Sequence, residues 1–302
     1  MNKKIKKILI IFLFLIVTVG CVLLGFKTRF DNGIVVTQFA PQTTRQSMGY
    51  MLKTSENRII MIDGGTEGDT EHVKKAIIDN GGIVDTWFLT HAHDDHYGVL
   101  LTLLSEMDSN IQINNIYLNL NSEEWYKEND SARFDHIKLL LDVLKKDGVK
   151  EKVHIVQNRD EIVVDNLIFK ILKITSPEVT VNAGNNQSLV IKVSNMFKSM
   201  IFLGDSGVEV EENLVNHNLD ESKCDAVQMA NHGQAGVSEF TYNAIDPKIC
   251  FWPTPEWLWD NNKGEGFNTA EYKTIETRAW IEYLGVKENY IAKDGDITVK
   301  IW

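Results

Sequence analysis

The spacing of apolar residues changes several times along the chain, and each change predicts an element. IVVTQF (34–39), GYMLKT (49–54) and RIIMID (58–63) are compact apolar or β-branched runs between polar and glycine-containing turns, the pattern of successive strands. From Thr70 the period lengthens. Val73, Ala76 and Ile77 fall at helical intervals and the run stops at Gly81-Gly82, which predicts a helix over 70–80. The strand DTWFLT (85–90) comes next, and amphipathic helices over 97–107 and 132–146 flank a further strand, IQINNIYLNL (111–120). VHIV, NLIFKILKI, SLVIKV and SMIFLGD read as strands. The last third alternates a helix near 208–216, the strands DAVQMA and KICFWP, a helix over 270–284 and a closing hairpin, YIAKDGDITVKIW. This alternation predicts one α/β layered domain over 34–302, with neither an internal repeat nor a linker.

Residues 1–33 follow another pattern. MNKKIKK precedes an uncharged apolar run from Ile8 to Phe26, long enough to cross a bilayer as one helix. Lys3, Lys4, Lys6 and Lys7 outnumber Lys27 and Arg29. The positive-inside bias then predicts a cytoplasmic stub, a single-pass cell-membrane anchor through residues 8–26, a short tether, and an extracytoplasmic domain. A cleaved signal peptide would end at small residues in an A-x-A-like pattern, which is missing here. A lipoprotein at Cys21 would need a cleavage box that Thr18-Val19-Gly20 matches loosely. Both stay open beside the uncleaved anchor.

Composition bears on partners. Cys224 and Cys250 are the only thiols beyond the apolar run, too few for a disulfide framework, and read as buried free thiols. A formal net charge of -11, with no run of basic residues that offers a phosphate-tracking groove, disfavours long nucleic acid. No protein partner is implied.

The chemistry concentrates in THAHDDHYG (90–98), which holds three of the chain's 8 histidines. His91 and His93 lie two apart at a strand end, so in extended geometry both imidazoles leave one face. Asp95 and His96 follow at the start of a helix. This H-x-H-x-D-H corner converges nitrogen and carboxylate donors from a rigid base, which suits borderline divalent cations.

The motif resembles that of the metallo-β-lactamase superfamily, and IMIDGG (60–65), IFLGDSG (201–207) and ANHG (230–233) agree with it in order. The resemblance runs from about Ile34 to Trp302. It implies a four-layer αββα sandwich with the site at one edge of the two sheets, and a metal-dependent hydrolase. It further implies that His91 and His93 bind a first metal, that Asp95, His96 and His232 bind a second, and that Asp205 bridges both. Asp95 and Asp205 thereby carry the catalytic role, and Asp63 supports the site from behind. NNQSLVIKV, followed by IFLGD and a histidine-glycine pair, is similar to the ComEC-type branch of that superfamily. Where that branch has a double histidine this chain has Asn231-His232, and where many members supply a further histidine it has Asn185-Asn186. The first metal is left one strong ligand short, with water or Asn186 to complete it.

Two ions a few ångströms apart bridged by hydroxide would perform hydrolysis at neutral pH. Zinc, as two ions, suits the donor set; manganese or iron stays open because asparagine shifts the first site towards oxygen. Asp94 is an option for the acid that protonates the leaving group, against the plainer role of a solvated carboxylate at a helix start. Trp252, Trp257 and Trp259 either line a substrate pocket, as a cage for a quaternary ammonium or a face for a sugar or base, or pack beneath a long loop. With outward anchoring, the expected substrates are phosphodiesters or phosphoesters, as small molecules or envelope polymers. A non-catalytic metal-binding surface module, a lactone or β-lactam hydrolase and a di-iron oxidoreductase remain as alternatives.

Overall fold

The computed structural model describes residues 12–18, 20, 33–106, 110–212, 214 and 221–301. Residues 12–18 of the expected anchor are helical, and nearly all the rest of 8–26 lies outside the described residues. Among the described residues no helix is long and apolar enough to cross a membrane.

Two sheets carry the domain. The first contains β1 (Ile34–Gln38), β2 (Gly49–Lys53), β3 (Ile59–Asp63), β4 (Ile83–Phe88), β5 (Gln112–Ile113), β6 (Ile116–Leu118), β7 (Val153–Ile155) and the last strand, β15 (Ile297–Ile301). Its order is β15-β1-β2-β3-β4-β6-β7, with β5 also on β4. The second runs β14 (Glu288–Ile291), β13 (Ile249–Trp252), β12 (Ala226–Gln228), β11 (Ser199–Phe202), β10 (Val190–Ser194), β9 (Leu167–Lys173) and β8 (Glu161–Val164). Each sheet is part antiparallel and part parallel: β3, β4, β6 and β7 are parallel neighbours, as are β11 to β14.

Strand alternation sorts the side chains into layers. Val36, Tyr50, Leu52, Ile60 and Ile62 of the first sheet pack against Phe169, Ile191, Met200, Phe202 and Phe251 of the second. Met51, Ile59, Met61 and Trp87 face the other way, beneath the helices Thr70–Asp79, Asp94–Glu106 and Phe134–Leu144. Ile201, Val227, Cys250 and Trp252 do the same under Glu239–Ile245 and Thr274–Tyr283. Helices, sheet, sheet, helices is the expected four-layer α/β order. Each large side chain buried in this way contributes about 1.5–3 kcal/mol. Cys224 and Cys250 are buried and free, as read from the sequence.

The differences from expectation are local. The expected strand over 111–120 breaks at Asn114-Asn115 into β5 and β6. Short helices at Glu123–Asn129 and Glu239–Ile245 follow Ser122 and Ser238, whose hydroxyls accept from Trp125 N and Phe240 N. The closing hairpin does not form. β14 pairs with β13 in one sheet and β15 with β1 in the other, because a crossover at Ala292–Asp294 gives both sheets an edge strand where a hairpin would leave β1 open.

Candidate metal centre

The proposed ligands gather at the carboxyl ends of parallel strands, where α/β layers leave their crevice. β4 runs through Thr90 into the helix Asp94–Glu106, which starts three residues earlier than its periodicity suggests and takes Asp95 and His96 into its first turn. That helix lies close to the turn after β3. A Cβ added at Gly98 would stand 2.3 Å from Glu67 N and 2.5 Å from the Thr66 carbonyl carbon, so only glycine permits the approach. Asp205 follows β11 and His232 follows β12. His232 is presented on a left-handed turn, with φ 48° at Asn231 and 55° at His232, a conformation that asparagine tolerates and histidine adopts at a cost of about 1–2 kcal/mol.

His91, His96 and Asp205 bring one donor atom each within 4.8 Å of one another, and so do Asp95, His96 and His232. Asp205 faces both groups: its Oδ1 is 3.4 Å from Nε2 of His96 and its Oδ2 is 3.6 Å from Nε2 of His232. Asp95 Oδ2 lies 3.3 Å from the same His232 nitrogen. The expected set is thus brought together, with one exception. His93 sits beside it, its ring centroid 4.6 Å from that of His91, but belongs to neither converging group.

Anchors behind the rings decide which nitrogen is free. His96 Nδ1 is 2.7 Å from Asp63 Oδ2, and the same carboxylate accepts from Thr90 N at 2.8 Å and Thr90 Oγ1 at 2.7 Å. This is the supporting place expected of Asp63. His232 Nδ1–H donates to the Pro253 carbonyl at 2.9 Å, which fixes the tautomer with its lone pair on Nε2. His91 Nδ1 lies 3.1 Å from Thr90 Oγ1 and 3.2 Å from Ser188 Oγ, and Ser188 Oγ also accepts from Asp205 N. What remains is Nε2 of His91, His96 and His232 and Oδ1 of Asp205, all buried and all without a hydrogen-bond partner. Buried polar atoms left in this state cost free energy, and divalent cations held by the two donor groups would satisfy them. The residues present therefore fit the metal that the motif implies.

Electrostatics agree. Burial opposes ionisation of Asp95 and Asp205, but the surrounding imidazoles, above all His96, outweigh it and hold both carboxyls below their usual range. Burial likewise opposes charge on His96 and His232, yet Asp205 with Asp63 and Asp95 raises His96 well above the ordinary histidine value, and Asp205 and Asp95 raise His232. His91 is driven the other way by burial and the three neighbouring rings. Metal capture needs neutral imidazoles, so protons on His96 and His232 compete with the ion. Apparent Zn²⁺ affinity is expected to fall as pH drops through these raised values, starting above the usual histidine range, by up to about tenfold per pH unit for each proton displaced. Competition titration across neutral pH checks this, and a flat profile would contradict it.

Other expected residues take supporting or packing places. Asn186 Oδ1 accepts from Gly207 N at 2.8 Å and its Nδ2 donates to the Val181 carbonyl and Glu209, so its amide braces the loop after β11. The tryptophans form no cage. Trp252 is 1% exposed, donates to Asn289, and meets Trp259 edge-on, while Trp259 lies under the Arg278 guanidinium. Trp257 donates to the Thr44 carbonyl and packs on Tyr272. Large rings following an apolar strand are drawn under the outer helices, which is the packing alternative. Asp94 pairs with Arg45 at 2.7 Å and takes no part in either donor group.

Sequence reasoning missed Thr90, Ser188 and Lys173. The first two belong to the quoted motifs, so their hydroxyls were in plain view. Lys173 is buried beneath the site, where burial pushes its ammonium down to about 7 while Nζ donates to the Asn186 and Ser188 carbonyls at 2.8 and 2.9 Å. It thereby anchors the segment that carries Ser188.

The sequence profile of the metallo-beta-lactamase superfamily matches residues 43–217. No curated protein matches the chain in sequence. Among solved structures, the metallo-beta-lactamase fold protein YhfI from Bacillus subtilis is 13% identical with a TM-score of 0.54, over 88% of this chain and 99% of that one. Igni18, a metallo hydrolase from the archaeon Ignicoccus hospitalis, is 12% identical with a TM-score of 0.52, over 89% and 100%. CmlA, a diiron beta-hydroxylase from Streptomyces venezuelae, is 10% identical with a TM-score of 0.57, over 89% of this chain and 54% of its own length. At such identities the likeness is one of fold alone. A profile match over more than half of the chain, on a four-layer fold whose histidines and aspartates converge as the motif requires, shows that the chain belongs to the metallo-beta-lactamase superfamily.

Proposed function

We propose that this chain is a membrane-anchored, extracytoplasmic two-metal hydrolase that cleaves phosphodiesters or phosphoesters of the cell envelope. The observation that carries the hydrolase reading is the pair of donor groups sharing His96, with Asp205 between them and four buried donor atoms unsatisfied. Two zinc ions, or manganese or iron in their place, would supply a nucleophile from water at neutral pH and neutralise charge on the departing oxygen. The chain's own part is to hold that arrangement: Asp95 and Asp205 stay ionised, Asp63 and the Pro253 carbonyl fix two imidazoles, and Ser188 ties His91 to Asp205.

A groove of about 420 Å³ lined by Asn182, Glu209, Gln234, Ser238, Lys273 and Trp280 adjoins the His232 turn and offers a substrate both charge and an aromatic edge. The phosphoester class is supported by the likeness of NNQSLVIKV and IFLGD to the ComEC-type branch, and the net charge of -11 disfavours long nucleic acid as the substrate. The apolar run Ile8–Phe26 supports the anchor. One observation favours a non-catalytic module instead: His93 stands outside both donor groups.

Expression from about Asn32, elemental analysis and parallel assays on bis(p-nitrophenyl) phosphate, p-nitrophenyl phosphate, a lactone and a β-lactam test the proposal. Turnover of a phosphoester by protein holding two ions is expected. Cleavage of the lactone or lactam alone would overturn the substrate class, and a metal-replete but inert protein would leave the module reading in its place.

A further inference from the structure

Residues 182–186, where a further ligand is expected, serve a different purpose in the folded chain. The short helix Ala183–Asn186 begins after Asn182, itself left-handed with φ 47°, and lays its backbone against His93. A Cβ added at Gly184 would fall 2.1 Å from Nε2 of His93 and 2.3 Å from Oδ2 of Asp130. Those two atoms are 2.9 Å apart, in a buried hydrogen bond. The Asp130 side chain is 7% exposed and also receives Arg133 Nη1 on Oδ1 at 3.3 Å. Burial opposes its charge, but His93 and Arg133 outweigh burial and hold the carboxyl below its usual range. His93 is therefore arranged in reverse of its three neighbours. They leave Nε2 bare, whereas His93 places Nε2 on a carboxylate, with Nδ1 as its other ring nitrogen.

We propose that Asp130 is the positioning residue of the first metal position: closed in under Gly184, it accepts the Nε2–H of His93 and leaves Nδ1 as the lone pair that His93 offers to a cation beside His91. A carboxylate-anchored imidazole is a stronger and better oriented donor than a free one, which compensates for the nitrogen ligand missing at Asn185-Asn186. Gly184 owes its identity to this contact, since any side chain there would displace the hydrogen bond. The inference rests on the two-metal reading above.

The test is a competition titration of the full chain with Zn²⁺ against a chromophoric chelator, together with the d–d absorption spectrum of the Co²⁺-loaded protein. Asp130→Asn is expected to weaken one of two bound ions by about 10–100-fold, leave the other unchanged and alter the cobalt spectrum of the weakened ion. Asp130→Glu should recover part of the loss, and Gly184→Ala should reproduce it with Asp130 still present. Asp130→Asn is nearly isosteric, so it carries the test even where Gly184→Ala fails to fold. Unchanged affinities and spectrum in Asp130→Asn would overturn the inference alone. Loss of a directly bound oxygen, read by X-ray absorption in that variant, would make Asp130 a ligand and also overturn it. A wild-type chain that holds a single ion would overturn both this inference and the two-metal reading.

Discussion

Asp205→Asn is expected to strip most of the bound metal and abolish most hydrolytic turnover while leaving the fold in place. The carboxylate is 3% exposed and reaches His96 with one oxygen and His232 with the other. An amide keeps the shape but removes the charge, and its nitrogen would point a proton at an imidazole lone pair on one side. Removing one partner from a buried charged cluster costs about 3–5 kcal/mol. At about 1.4 kcal/mol per factor of ten this is roughly 10²–10⁴-fold in affinity for the ion. His96→Ala should behave similarly, because His96 belongs to both donor groups. Asp94→Asn is the control. Asp94 lies two positions before His96 but is paired with Arg45 at the surface, so metal content should change little. Elemental analysis and kcat/KM of the three variants decide the matter, and retained metal and turnover in the first two would remove the site assignment.

Asp63→Ala should lower both stability and metal affinity although Asp63 belongs to neither donor group. Its side chain is fully buried and holds His96 Nδ1, Thr90 N and Thr90 Oγ1. Deletion leaves an imidazole N–H and a backbone N–H without acceptors in a dry pocket, at about 3–5 kcal/mol. For a domain of this size the melting temperature should fall by roughly 6–20 °C. A freed His96 ring would also hold its ion about 10–100-fold less tightly. Calorimetry of the metal-free variant separates the first effect from the second. An unchanged melting temperature with unchanged zinc affinity would show that the hydrogen bonds around Asp63 do not govern the ring.

Much of this centre was legible before any coordinates because its donors sit in short local patterns. His91, His93, Asp95 and His96 share six positions, and Asp63, Asp205 and His232 each stand at or just beyond the end of a short apolar strand. The layers were legible for the same reason: period two and period 3.6 report which face is buried. What escaped depends on distant pairing. Asp130 meets His93 from 37 residues away, in a segment whose helix is short and whose spacing carries no motif. Ser188 reaches His91 across 97 residues. The hairpin expectation failed because adjacency in sequence favours local pairing, while the open edge at β1 was a property of the whole sheet. Trp252 and Trp259 show the converse, since aromatic clustering cannot by itself distinguish a ligand face from a core.

The pairing of Ile34 with Ile301 and of Val36 with Val299 also bears on how the chain is made. Synthesis delivers one half of this ladder near its start and the other only after almost the entire domain has emerged. Throughout that interval an apolar edge lacks its native neighbour, and loop-closure entropy must be overcome before the pairing gives any return. Closure of this ladder is therefore among the last steps in assembling the sheet, and until it forms the β1 edge is the one most open to pairing with another chain.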